Sequence, residues 1–192
     1  MPNPASYDSL QTTRCSVYVV LGTSHRIQCR WKGASASEVK LSDGLDAIIR
    51  ELAVKHGITL IAEEAPHDVP TVARHVSTDM GIPYLQVEML PSEYERYGIR
   101  QEMDMLATAN SRGDADYRCP HADDIREHLW LNKVQSHPSA ERVLLVCGYA
   151  HAAFLAAKVC DRGKIGLAFF FPQDLGQREI VELADCGPKD SV

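Results

Sequence analysis

Five stretches of the chain are short, continuous apolar runs, and the segments between them carry apolar residues at helical spacing. The runs cover about residues 15–21, 58–62, 84–87, 142–147 and 165–171. Each is rich in Val, Ile, Leu or Phe and closed by glycine, proline or charge, as strands buried on both faces of a parallel sheet are. Between the first two, Leu45, Ile48, Ile49, Leu52 and Ala53 recur at the period of an amphipathic helix. Ser42 is a candidate cap and Gly57 a candidate stop, so a helix is predicted over 43–56. A second helix is predicted to start near Pro70 and to run through Val72, Val76 and Met80 to Gly81. Residues 92–120 read as helix broken at Gly98 and Gly113, and 123–135 as a helix ended by His137 and Pro138. A last helix is predicted from Ala150 to Cys160, with Gly163 beyond it. Residues 26–42 mix charge, serines and Gly33 without a period and are predicted to be a long loop.

Strands alternating with helices specify an α/β fold: a mostly parallel sheet of about five strands with helices on both faces. A single α/β domain is expected over 15–183, with a flexible segment at 1–14 and a flexible tail at 184–192. At 192 residues, 45% of them hydrophobic, the chain is long enough for one full core and short for two.

Charge narrows the function classes. A formal net charge of −6 and a pI near 5.7 argue against a nucleic-acid footprint, which needs a basic patch or stripe. No apolar run approaches the roughly 20 residues of a membrane helix, and the first residues lack the basic-then-apolar pattern of a secretory signal. The expectation is therefore a cytoplasmic protein with no membrane association. The six cysteines (15, 29, 119, 147, 160 and 186) are dispersed without a Cys-x-x-Cys pair and read as reduced thiols, Cys147 as core packing.

The chemistry concentrates at strand ends. The first strand closes in Gly22-Thr23-Ser24-His25 and the fourth in Gly148-Tyr149-Ala150-His151, two Gly-x-x-His endings in one chain. His25, Glu63, Glu64, Glu88 and His151 each fall at or just past the carboxyl end of a strand, where open α/β sheets keep their ligand crevice. Two imidazoles and one or two carboxylates suit zinc, manganese or cobalt with an open position, and a water bound there becomes a nucleophile near neutral pH. A metal-free version uses the same residues: Glu63 or Glu64 holds one histidine's tautomer while that histidine takes a proton from water. Glu63 and Glu64 are neighbours, and successive strand side chains face opposite ways, so one of the two is expected to face the site. Arg96, Tyr97 and Arg100 follow the third strand and are candidates for holding an anionic group. His67 and His75 read as surface residues, and Cys119-Pro-His121 lacks the second pair that a structural zinc site needs. Arg126, Glu127 and Trp130 share a helix on which Glu127 can pair with a cation, and Trp130 reads as core.

Two Gly-x-x-His strand ends flanking a strand that ends Leu60-Ile-Ala-Glu63-Glu64 resemble the superfamily of Tiki and TraB/PrgY proteins, erythromycin esterases and ChaN-type haem-binding proteins. The resemblance spans roughly residues 15–171 and is carried by these three motifs. It implies, from the Tiki-type members, a hydrolase whose divalent metal is held by His25, His151 and Glu63 or Glu64. From the erythromycin esterases it implies a metal-independent histidine and glutamate that cleave a lactone. From the ChaN-type proteins it implies haem binding; in a protein that binds haem or another cofactor, His25, His151 or a tyrosine such as Tyr97 or Tyr149 is the candidate ligand, and Arg96, Tyr97 and Tyr149 are the candidate cofactor-binding residues. Thr23 after the first glycine is similar to the TraB and Tiki pattern, and the chain lacks the long helical insertions of those relatives. The expectation is a small cytosolic hydrolase, metal-dependent, acting on a small-molecule or peptide substrate. A metal-independent esterase-like hydrolase and a haem- or cofactor-binding protein are its alternatives.

Overall fold

The computed structural model describes residues 17–29, 35–111, 119–161 and 165–170. The expected flexible ends, together with Gly33, Gly113 and Gly163, lie outside these residues. Five strands, β1 (Val17–Thr23), β2 (Leu60–Glu63), β3 (Tyr84–Gln86), β4 (Arg142–Gly148) and β5 (Ile165–Phe170), form one sheet in the order β3-β2-β4-β1-β5. Every pairing is parallel. Helices α1 (His25–Gln28), α2 (Ala36–His56) and α3 (Val72–Met80) alternate with the first strands. Then come α4 (Pro91–Arg96), α5 (Arg100–Ser111), α6 (Pro120–Ser136) and α7 (Tyr149–Asp161).

Side-chain alternation along the strands divides the core into two layers. Val17, Val19, Leu21, Ile61, Leu144 and Val146 pack on one face against Leu45, Ile49 and Leu52 of α2 and Val72 and Val76 of α3. Tyr18, Val20, Leu60, Ala62, Val143 and Leu145 pack on the other against Trp130, Leu131 and Val134 of α6 and Leu155 and Val159 of α7. The α/β fold and its helices on both faces are as the sequence predicts. A smaller cluster of Met89, Ile99, Cys119 and Ala122 fastens α4 and α5 to the start of α6.

Where the segment predicted to be a loop is described, at 26–29 and 35–42, it is largely helical. Ser24 caps the short α1 by accepting from the Arg26 N–H at 3.3 Å. Ser35 and Glu38 form a capping box that starts α2 at Ala36, seven residues before the predicted start at 43. Absence of an apolar period had hidden this first turn, because capping uses polar groups and its residues are largely exposed. Ser42 is not a cap but a buried residue within α2, donating to the Ile27 carbonyl at 3.1 Å. The helix predicted to start near Pro70 begins at Val72, with Pro70 before its first turn; Thr71 caps α3, its hydroxyl accepting from Arg74 N–H at 3.2 Å. The break at Gly98 is real, with φ of +71° separating α4 from α5. Cys29, Cys119 and Cys147 are free and buried, but Cys160 is disulfide-bonded, which corrects the expectation that all six cysteines are thiols. Sequence spacing says nothing about which distant sulfurs come within bridging range. Among the described residues no helix is long and apolar enough to cross a membrane.

Strand order is what builds a site. β4 lies between β2 and β1, so the two Gly-x-x-His endings lie side by side, Thr23 opposite Gly148. From β1 the chain proceeds through α1 and α2 on one face, and from β4 through α7 on the other. Departures to opposite faces from adjacent parallel strands open a crevice beyond their carboxyl ends.

Candidate active site

Gly148 is where the two motifs and β2 meet. Glu64 continues the ladder past β2, its N–H bonded to the Val146 carbonyl at 2.9 Å. Its side chain turns back over β4, where Oε2 accepts the Gly148 N–H at 2.8 Å. A Cβ at Gly148 would come within 3.3 Å of His25 Nε2, 3.5 Å of Glu64 Oε2 and 3.7 Å of His151 Cδ2. A side chain there would press on the His25 ring, and the three predicted site residues lie around one backbone position. His25 Nε2 stands 3.5 Å from Glu64 Oε1, and His151 Nε2 stands 3.8 Å from that same oxygen.

Of the two adjacent glutamates, Glu64 joins the histidines and Glu63 does not. Glu63 is equally buried on the α3 side, where Oε2 accepts from Thr71 Oγ1 at 2.5 Å and Tyr84 OH at 2.8 Å. Its Oε1 has no hydrogen-bond partner among the described residues. Burial pushes the Glu63 carboxyl up to about 7, against the opposing pull of the Thr71 and Tyr84 hydrogen bonds.

Arg126 of α6 is the hub that the sequence reading left among ordinary helix charges. A guanidinium has five N–H donors and no acceptor. Nε donates to Glu88 Oε1 at 3.4 Å, and Nη2 donates to Glu88 Oε2 at 2.6 Å and Glu64 Oε1 at 2.8 Å. Nη1 donates to Asp123 Oδ1 at 3.1 Å and meets His151 Nε2 at 3.3 Å. All five donors are therefore occupied in a site where Arg126 is only 6% exposed. The guanidinium also lies 4.8 Å from the Trp130 ring centre, and Trp130 meets the His151 ring edge-on at 4.9 Å.

The other histidine nitrogen is occupied too. His151 Nδ1 lies 2.8 Å from Glu127 Oε1, and Glu127 Oε2 lies 2.5 Å from Lys158 Nζ. Lys158 also reaches Asp124 at 2.7 Å. Of these partners, Glu127 is expected from the sequence to pair with a cation, as it does with Lys158, whereas the site roles of Asp123 and Lys158 escape the sequence reading. A signal was present: Asp123, Arg126, Glu127, Trp130, Leu131 and Val134 form one buried stripe along α6, three of its members charged. Charge within a buried helical stripe is rare unless it is paired or functional.

Burial alone would raise the Glu64 carboxyl, but the imidazoles of His151 and His25 and the Arg126 guanidinium hold it well below the usual carboxylate range. For His25 burial acts downward, and the carboxylates of Glu64 and Glu88 outweigh it, so its net shift is above the ordinary histidine value. His25 nonetheless keeps 46% of its side chain exposed, whereas His151 keeps 8%. Of the two rings, His25 is the one a substrate can reach.

Among the described residues Arg96, Tyr97 and Arg100 make no bond to this cluster. Arg96 stacks on Tyr97 at 5.8 Å at the end of α4, and Arg100 pairs with Asp104. Tyr97 packs against the third cluster, and neither it nor Arg96 bonds to His25, Glu64 or His151 among the described residues. Tyr149 is the first residue of α7. His75 pairs with Asp79 and His121 with Glu102, both well exposed. Glu88 does belong to the site, through Arg126 and through Tyr94 OH at 3.5 Å.

Arg126 already engages Glu64, Glu88, Asp123 and His151, so the groups a divalent ion would use beside His25 are in contact with a cation. Among the described residues no group of three or more His, Cys, Asp or Glu side chains is placed to hold a metal. The class defined by fold and site is a parallel α/β protein with an Arg-centred His/Glu cluster at the carboxyl edge of its sheet. Neither a family model, nor a curated protein, nor a solved structure matches the chain.

Proposed function

We propose that the chain is a small cytosolic hydrolase of the metal-independent, esterase-like type, within the superfamily that its two Gly-x-x-His motifs resemble. Its substrate is an acyl-linked small molecule or peptide. The observation that carries this reading is Arg126, which supplies the cation between the site's carboxylates and so takes the place that a Tiki-type metal would need.

His25 is the acid–base group. With Nε2 turned to Glu64, the ring proton sits on Nε2 and Nδ1 carries the lone pair. Nδ1 has no hydrogen-bond partner among the described residues, and the ring is half exposed. It takes a proton from water as the oxygen attacks the acyl carbon, then returns that proton to the leaving group. Glu64 stabilises the imidazolium formed in between. Three carboxylates, Glu64, Glu88 and Asp123, face one guanidinium, and the excess negative charge favours a cation at His25. Positioned acid–base catalysis of this kind contributes about 10²- to 10⁴-fold.

The test is hydrolysis of a panel of chromogenic aryl esters and lactones by the full chain after exhaustive chelation. Activity is expected to survive chelation and to fall by about 10²-fold or more in His25→Ala. Activity that disappears with chelator and returns with added metal, or an unaffected His25→Ala variant, overturns the proposal.

A further inference from the structure

The bond between Arg126 Nη1 and His151 Nε2 decides the protonation of a second residue and gives two more a task. Arginine can only donate, so Nε2 of His151 must accept. The ring proton of neutral His151 is then on Nδ1, where it donates to Glu127 Oε1. We propose that Glu127 is a positioning residue that holds His151 in its Nδ1–H tautomer, and that Lys158 commits the other oxygen of that carboxylate. His151 thereby serves as the fifth acceptor of Arg126 and not as an acid or base. The consequence for chemistry rests on the hydrolase reading: Arg126, held from five sides, keeps Glu64 ionised and in place beneath His25. The tautomer itself does not depend on that reading.

Lys158 matters because it too has only donors. Its Nζ lies 2.5 Å from Glu127 Oε2 and 2.7 Å from Asp124 Oδ1, with the lysine side chain 19% exposed and the glutamate 1%. One carboxylate oxygen is therefore committed to the ammonium and the other is left for His151. Both oxygens of a carboxylate accept, so no ambiguity arises. In a Glu127→Gln variant only one of the two atoms accepts. Lys158 claims the amide oxygen, which turns the amide NH2 toward His151 Nδ1. That nitrogen must now accept, its proton moves to Nε2, and an N–H is set against the N–H of Arg126. If Lys158→Met is added, the ammonium no longer claims the amide oxygen, the amide rotates, and Nδ1–H is restored. A side chain that merely fills space predicts no such reversal.

The experiment is 15N NMR of the full-length protein labelled at histidine, in mildly alkaline buffer where histidine is ordinarily neutral. His151→Asn identifies the resonance. Expected are the Nδ1–H tautomer in the wild type, the Nε2–H tautomer in Glu127→Gln, and return to Nδ1–H in Glu127→Gln/Lys158→Met. An Nε2–H or rapidly averaging ring in the wild type overturns the proposal, as does an unchanged tautomer in Glu127→Gln. Should Glu127→Gln not fold, the wild type and Lys158→Met, both expected as Nδ1–H, still decide it. On the aryl esters, kcat of Glu127→Gln is expected to fall at least about tenfold with KM retained and to recover in the double variant; a wrong tautomer costs up to about 10⁴-fold in hydrolase triads. Tautomers that behave as stated in a chain without esterase activity would refute the hydrolase reading and leave this one standing.

Discussion

Glu63 makes stability depend on pH in a direction opposite to that of most carboxylates. In the folded chain burial holds its carboxyl at about 7, against an ordinary value of 4.5. A folded-state value above the unfolded one means that the native protein binds the proton more tightly. Its contribution to stability is therefore complete below about 4.5 and is lost as pH rises to about 7. The difference of roughly 2.5 units, at 1.36 kcal/mol each, amounts to about 3 kcal/mol of stability given up across that window. Above it, the anion has the Thr71 and Tyr84 hydroxyls on Oε2, while Oε1 has no partner among the described residues. Glu63→Gln never ionises, and its carbonyl can accept the same two hydroxyls. Urea unfolding of wild type and variant across this range isolates the effect, since other groups titrate alike in both. Stability of the variant relative to wild type should rise by about 3 kcal/mol from the acid to the neutral end. Parallel curves would refute both the burial argument and the separation of Glu63 from the histidines.

Arg126→Met removes the only guanidinium facing Glu64, Glu88 and Asp123 among the described residues. Chemical denaturation near neutral pH should show a loss of about 3–5 kcal/mol, less in acid where those carboxyls take up protons; a loss under about 1 kcal/mol would mean the cluster is solvated. The acid limb of the pH–rate profile should report His25 and lie above the ordinary histidine value of 6.5, because Glu64 and Glu88 favour the charged ring and only the neutral ring accepts a proton. Glu64→Gln should move that limb downward, and a limb that stays where it was would dissociate Glu64 from His25.

Much of the architecture is legible in local pattern. Buried parallel strands are apolar throughout, so Val17 to Leu21 and Val143 to Cys147 announce themselves, and α2 shows its core stripe from Leu45 to Ala53. Its first turn does not, because Ser35 and Glu38 stabilise it by capping and without burial. The histidines and the glutamate pair are visible as strand endings, since the carboxyl edge of a parallel sheet is fixed by chain direction alone. Arg126 is not visible in the same way. Its role comes from acceptors just past β2, in the segment after β3, on α6 itself and on α7, as much as 62 residues away in sequence.

Taken alone, the order of residues determined the layering: two-residue alternation in strands and 3.6-residue periodicity in helices compel a covered parallel sheet with His25, Glu63, Glu64 and His151 at one edge. Tertiary structure decided what those groups become. Inserting β4 between β1 and β2 set Thr23 opposite Gly148, turned Glu64 toward the imidazoles and Glu63 away, and brought Arg126 into the gap between carboxylates. Strand order and side-chain direction depend on long-range pairing, whose energetics no local pattern contains, whereas periodicity reflects only which side of each element meets water.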